Sequence, residues 1–181
     1  MNTSSRIKTK DMVNIALFTV LIVICSWISI PTVVPFTLQT FAVFFSCLVL
    51  GGKYGTCSVF IYLLLGALGL PVFSNFTGGI GALLGPTGGY LAGFLLSALM
   101  MWIMENLFGR KRWVFIVSMI LGLLVCYVFG TAWFFFVYTL ASKAITFKKI
   151  LGLCVLPFII PDLLKISLAL ILSKRFSHII R

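Results

Sequence analysis

The chain has 181 residues, of which 61% are apolar and 9% charged, and its mean hydropathy is +1.20. Soluble domains carry roughly a quarter charged residues, so this chain lacks the polar groups needed to coat a water-facing surface. An ordinary soluble enzyme, a disordered protein and a nucleic-acid-binding domain are thereby excluded, and the net charge of +11, with Asp11, Glu105 and Asp162 as the only acids, fits the basic loops of an integral membrane protein.

A membrane-crossing helix needs about 20 mostly apolar residues. The charge-free windows 12–52, 54–104 and 113–142, and the window 150–173 that carries only Asp162 and Lys165, hold six such spans. They are expected at about 12–30, 36–51, 55–70, 88–108, 113–140 and 158–175, within a single domain over residues 1–181. The first apolar run, Ile15 to Ile30, is long for a leader peptide and lacks a small-residue cleavage site after it, so it reads as a retained helix. Pro31 and Pro35 close it. Gly51-Gly52-Lys53-Tyr54-Gly55 separates the second span from the third, and Gly69-Leu70-Pro71 ends the third. Residues 71–88 are too rich in Gly and Pro to cross a membrane as a helix. They read as a structured loop with a helical turn near Gly81–Leu84. The stripe Gly89, Gly93, Ser97 predicts close helix packing within the chain. Arg110-Lys111-Arg112 divides the fourth span from the fifth, and Gly130 is expected to break or bend the fifth. Pro157 and Pro161 interrupt the last segment, which places the start of its main helix near Pro161.

Six spans put both ends of the chain on one side. That side collects Arg6, Lys8, Lys10, Lys53, Arg110, Lys111, Arg112, Lys174, Arg175 and Arg181, against Lys143, Lys148 and Lys149 opposite. Ten against three predicts cytoplasmic termini and an external glycine-rich loop between the third and fourth helices.

Catalytic chemistry is poorly supplied. There is no HExxH, G-x-S-x-G or G-x-x-x-x-G-K-[ST] pattern. His178 lies in the basic tail, and Glu105 reads as half of a helix-end ion pair. The five cysteines, Cys25, Cys47, Cys57, Cys126 and Cys154, sit in apolar stretches without a CxxC pair and read as core or lipid-facing residues. Neither a catalytic set nor a metal set is expected.

Asp162 and Lys165 are the informative pair. Ionisable residues inside a membrane are costly and mark function by default. Their i,i+3 spacing puts them on one helix face. With Pro161 at the first helical position, Asp162 would sit in the first turn, where exposed N–H groups favour an anion. A purely structural ion pair is the competing reading. Two loops are expected on the same side. Residues 71–90 offer backbone amides together with Asn75, Thr77 and Thr87. Residues 31–39 bring Phe36, Thr37 and Gln39. Their convergence predicts an external ligand site.

These segments together resemble the BioY family, the biotin-binding S components of energy-coupling-factor (ECF) transporters. The resemblance is carried by Val34-Pro-Phe-Thr-Leu-Gln-Thr-Phe41, Gly69-Leu-Pro-Val-Phe73, Leu84-Gly-Pro-Thr-Gly-Gly-Tyr90, Gly130-Thr-Ala-Trp133 and Pro161-Asp-Leu-Leu-Lys165. It implies a six-helix protein of the prokaryotic plasma membrane that captures biotin from outside. It implies no cofactor, no enzymatic activity and no ATPase of its own. The partners it implies are a transmembrane coupling protein and two ABC-type ATPases.

On that resemblance, Asp162 accepts from a ureido N–H of biotin and Lys165 donates to the ureido oxygen. Asn75 or Thr77 completes the polar set. Phe36, Tyr90 and Trp133 wall the apolar part, and the carboxylate lies toward Gln39. S components often show Ala-x-x-x-Ala on the first helix against the coupling protein; here the stretch reads Ala16-Leu-Phe-Thr-Val20. The alternatives are an S component for another vitamin, and a small proton-coupled transporter with Asp162 as its proton site.

Overall fold

The computed structural model describes residues 8–140 and 147–180. Helix α1 (Thr9–Trp27) leads into a hairpin of β1 (Ser29–Ile30) and β2 (Phe36–Thr37), antiparallel with Ser29 opposite Thr37. Helices α2 (Gln39–Leu50) and α3 (Gly52–Ala67) follow, joined at Gly51, whose φ of 89° makes the turn in the region glycine favours. A 3-10 turn (Ser74–Phe76) and the short α4 (Ile80–Leu84) fill the glycine-rich loop; α4 is the helical turn expected there. The chain continues through α5 (Gly88–Phe108), α6 (Arg112–Leu140), α7 (Phe147–Cys154) and α8 (Leu156–Ile180).

Among the described residues, four segments are long and apolar enough to cross a membrane: Thr9–Trp27, Gly88–Phe108, Arg112–Leu140 and Lys148–Phe176. The expected second and third spans correspond to α2, with 12 residues, and α3, with 16. At 1.5 Å per residue they reach about 18 and 24 Å, short of the roughly 30 Å hydrocarbon layer. Helix α2 is buried on nearly every side, from Gln39 to Val49. A helix apolar all round belongs at the centre of a bundle, and α1, α3, α5 and α8 all pack on it.

The exterior is apolar and the interior carries small polar groups. Leu17, Val128, Leu140, Ile160 and Ile171 are exposed, while Ser26, Ser46, Ser58, Ser97 and Ser118 are fully buried. Their hydroxyls donate to carbonyls: Ser46 and Ser118 to carbonyls of their own helices, while Ser58 Oγ to Ile15 O at 3.2 Å joins α3 to α1. The Gly89/Gly93/Ser97 stripe does the same for α5 and α6. A Cβ on Gly89 would meet the Trp133 side chain, Gly93 faces Cys126, and Ser97 Oγ donates to the Gly122 carbonyl.

Two expectations about helix breaks are corrected. Helix α6 runs unbroken through Gly130. That glycine is a contact: the Tyr90 ring occupies its side-chain space, and an added Cβ would lie 2.3 Å from Tyr90 Cδ1. Helix α8 begins at Leu156, so Pro161 lies inside it and Asp162 is beyond the first turn. Pro157 takes the first-turn position where the missing N–H is harmless, and Pro161 leaves one carbonyl without its helical donor. The case for Asp162 therefore rests on its side-chain partners, not on the helix terminus.

Gly130→Ala is expected to destabilise the protein by about 1–3 kcal/mol, the usual cost of overpacking. Thermal unfolding in detergent measures it; an unchanged midpoint would mean that the Tyr90 ring can move aside.

Candidate functional site

The end of the bundle that holds the hairpin, the 68–87 connection and α7 is not flat. The tip of α1 ties the connection down: Ser26 Oγ donates to the Val72 carbonyl at 2.6 Å and Trp27 Nε1 to the Pro71 carbonyl at 2.9 Å. Beneath lies a cavity with about 700 Å³ of empty space counted to its open mouth. Its lining comes from residues 34–40, 73–91, α5, α6, α7 and α8.

Asp162 and Lys165 stand in its wall, their side chains only 4% and 7% exposed. Lys165 Nζ donates to Asp162 Oδ1 at 2.8 Å, and Tyr127 Oη donates to Asp162 Oδ2 at 2.6 Å. Lys165 Nζ also sits 4.1 Å from the centroid of the Phe36 ring, and that ring stacks on Phe158 at 5.5 Å. The ion pair is thus held from three elements: α8, α6 and the hairpin. Capacity remains on both partners. Each carboxylate oxygen can accept twice and an ammonium donates three times, so the pair can still take one donor and one acceptor from a guest.

The cavity brings together Gln39, Thr77, Tyr90, Asp162 and Lys165. Gln39 is buried, its Nε2 donating to Tyr62 Oη at 3.0 Å. Tyr90 shares a hydrogen bond of 3.0 Å with Thr131. Thr77 lines the cavity while its hydroxyl donates to the Ser74 carbonyl. Asn75 is placed elsewhere: it is exposed, at φ 55°, and accepts from Ser29 Oγ at 3.2 Å, so it joins the 3-10 turn to the hairpin. Trp133 Nε1 donates to the Gly85 carbonyl at 3.0 Å, so this residue braces the loop ahead of α5. Phe36 reaches the site through its contact with Lys165. Ala16 and Val20 lie on an exposed face of α1 with Leu17 and Ile24.

Sequence reasoning missed Tyr127, Phe158, Thr40 and Ser74. Cys126 and Cys154 are buried in the core, as expected, and they also line the cavity. A tyrosine in an apolar run carries no signal of its own. Only a carboxylate one or two turns away on a facing helix would have singled out Tyr127. Among the described residues no group of three His, Cys, Asp or Glu could hold a metal ion.

The wall is mostly aromatic and aliphatic, with Val34, Phe73, Leu91, Phe94, Leu123 and Phe158, and among the described residues its one charged pair is at the α8 side. Such a site suits a small, largely apolar molecule with a compact polar head that both donates and accepts.

A family model described as the BioY family matches residues 1–181. Over 171 residues the chain is 41% identical to the biotin transporter BioY of Thermotoga maritima, covering 94% of this chain and 97% of that one. Over 169 residues it is 40% identical to the probable biotin transporter BioY of Pyrococcus horikoshii, covering 93% and 96%. The crystal structure of the S-component for biotin from an ECF-type ABC transporter matches with a TM-score of 0.81 at 26% identity, over 98% of this chain and 95% of that chain. The helical arrangement around the cavity thus has a solved counterpart, and with sequence agreement from end to end, this chain belongs to the BioY family.

Proposed function

We propose that this chain is the substrate-capturing membrane subunit of an ECF-type uptake transporter and that its ligand is biotin. It is a transporter component, not an enzyme. The observation that carries the reading is the buried Asp162–Lys165 pair set in the wall of an otherwise apolar cavity. The ureido ring of biotin has N–H donors and a carbonyl acceptor on one rigid edge. Asp162 accepts from an N–H and Lys165 donates to the oxygen. Phe36, Phe158 and Tyr90 flank the fused rings, and Thr77 adds a hydroxyl. The carboxylate points toward Gln39, with the Thr37 and Thr40 hydroxyls beside it. Asn75 and Trp133 act indirectly, by holding the loops in place.

In the membrane the proposed arrangement is one domain over residues 1–181 with six spans, the short α2 and α3 forming the second and third. The termini and the basic turns are cytoplasmic, and the cavity opens outward. Ala16 and Val20 face a coupling protein that links the chain to two ABC-type ATPases, which supply the energy for inward release.

Titration calorimetry on the detergent-purified chain tests the ligand, with thiamine and riboflavin as controls. One biotin per chain and no heat from the controls is expected. No heat with biotin, from folded ligand-free protein, would reject the assignment. Uptake driven by a proton gradient in vesicles without any ATPase would instead make Asp162 a proton site.

Tyr127→Phe is expected to weaken biotin binding by about tenfold, because one hydrogen bond to a charged group contributes about 1.5–3 kcal/mol. Unchanged affinity would mean that Tyr127 does not orient the carboxylate.

A further inference from the structure

A second recess lies at the opposite end of the bundle. Helix α2 stops at Leu50 after 12 residues, and the first turns of α1, the α5–α6 turn and the last turns of α8 stand around its end. They enclose about 1220 Å³ of empty space counted to the open mouth, more than the ligand cavity holds by the same measure. The floor is apolar, with Leu48, Leu50, Phe115 and Leu170, and Arg110, Arg112 and Lys174 line the same recess.

The charges do not cancel. Arg110 is already held, its Nε 2.9 Å from Glu105 Oε1, while Glu105 also accepts from the Gly52 N–H. The one carboxylate in the lining, Asp11, accepts from the Lys8 N–H at 3.4 Å and from Tyr54 Oη at 3.3 Å. Lys8, Lys10, Lys53, Lys111 and Arg175 belong to the same turns and helix ends, so among the described residues this end carries eight cations against Asp11 and Glu105. An apolar floor under a cationic rim is complementary to an amphiphile with an anionic head, not to a free anion or a neutral headgroup.

We propose that this recess binds the headgroup of an anionic phospholipid, with Arg112 and Lys174 on the phosphate and the Leu48–Leu50 floor under the glycerol and first methylenes. Arginine and lysine pockets between membrane helices suit such heads, and the cytoplasmic leaflet supplies them. The placement in that leaflet rests on the orientation proposed above; the chemistry of the recess does not.

The full chain is reconstituted in nanodiscs of equal phosphatidylglycerol and phosphatidylcholine, and retained lipid is read by native mass spectrometry. Preferential retention of phosphatidylglycerol is expected. Arg112→Gln and Lys174→Gln should each reduce that preference by about fivefold, the effect of one basic residue near an anionic surface. Arg112→Lys should keep it, and biotin titration checks the fold of each variant. Equal retention of the two lipids overturns the proposal and leaves the recess to an acidic segment of a partner protein. A preference indifferent to both Gln variants overturns it by locating the lipid elsewhere. Displacement of the lipid by millimolar inorganic phosphate would assign a free-anion site instead. Failure of the wild-type chain to bind biotin would strike the proposed function and leave the lipid result readable.

Discussion

Asp162→Asn is expected to lower biotin affinity by about a hundredfold, as the loss of a hydrogen bond to a charged acceptor inside a largely apolar cavity. Asparagine keeps the shape, but Tyr127 and Lys165 donate to different carboxylate oxygens, so its single carbonyl oxygen can take the place of only one of them. It loses the charge, and Lys165, with its side chain only 7% exposed, is left without a counterion. Removing one partner of a buried pair costs about 3–5 kcal/mol of stability, and the lower end applies because the cavity opens to water. Calorimetry gives the affinity and thermal unfolding the stability, each on the same sample. Lower stability with full biotin affinity would make the pair purely structural and remove Asp162 from the site.

What the sequence made legible follows from how rare each signal is. Two ionisable residues in an apolar window stand out because the membrane penalises them. Their spacing fixes a shared helix face, so Asp162 and Lys165 could be named without a structure. Tyr127 could not. It is one of 27 aromatics, and its role depends on α6 lying beside α8, which no local pattern encodes. Asn75 and Thr77 were inseparable for a similar reason: both are small polar residues in one glycine-rich loop. The left-handed backbone at Asn75 sends its amide to Ser29, while Thr77 lines the cavity.

Helix limits failed where a general rule had two applications. Either Pro157 or Pro161 could have opened α8, and the first of them does. Gly130 reads as a breaker in isolation, yet it is a seat for the Tyr90 ring. Charge-free windows counted room for two spans over 12–52 but could not show that the second would be a helix of only 12 residues. The recess below α2 lies where that short helix stops, at the Gly51 turn.

Lys165→Met is expected to abolish measurable biotin binding, and a double variant, Asp162→Leu with Lys165→Met, should separate recognition from stability. Alone, Lys165→Met removes the donor to the ureido oxygen and strands Asp162 with Tyr127 as its one remaining side-chain donor among the contacts described. It also removes the cation from the face of Phe36, a contact that contributes about 0.5–2 kcal/mol. Each single change thus leaves one uncompensated charge in a buried wall. The double change leaves none, and replacing a buried ion pair by apolar side chains of similar volume is often neutral or stabilising. The unfolding midpoint of the double variant should therefore lie above that of Asp162→Leu alone and of Lys165→Met alone, while biotin still does not bind. This non-additivity is the signature of two residues acting as a unit, with a coupling of about 0.5–3 kcal/mol. If the double variant is as unstable as the two single effects added, the residues are not coupled as their 2.8 Å contact implies. If it regains biotin affinity together with stability, shape and apolar burial select the ligand, and the ionic pair serves only to hold α8 against the hairpin.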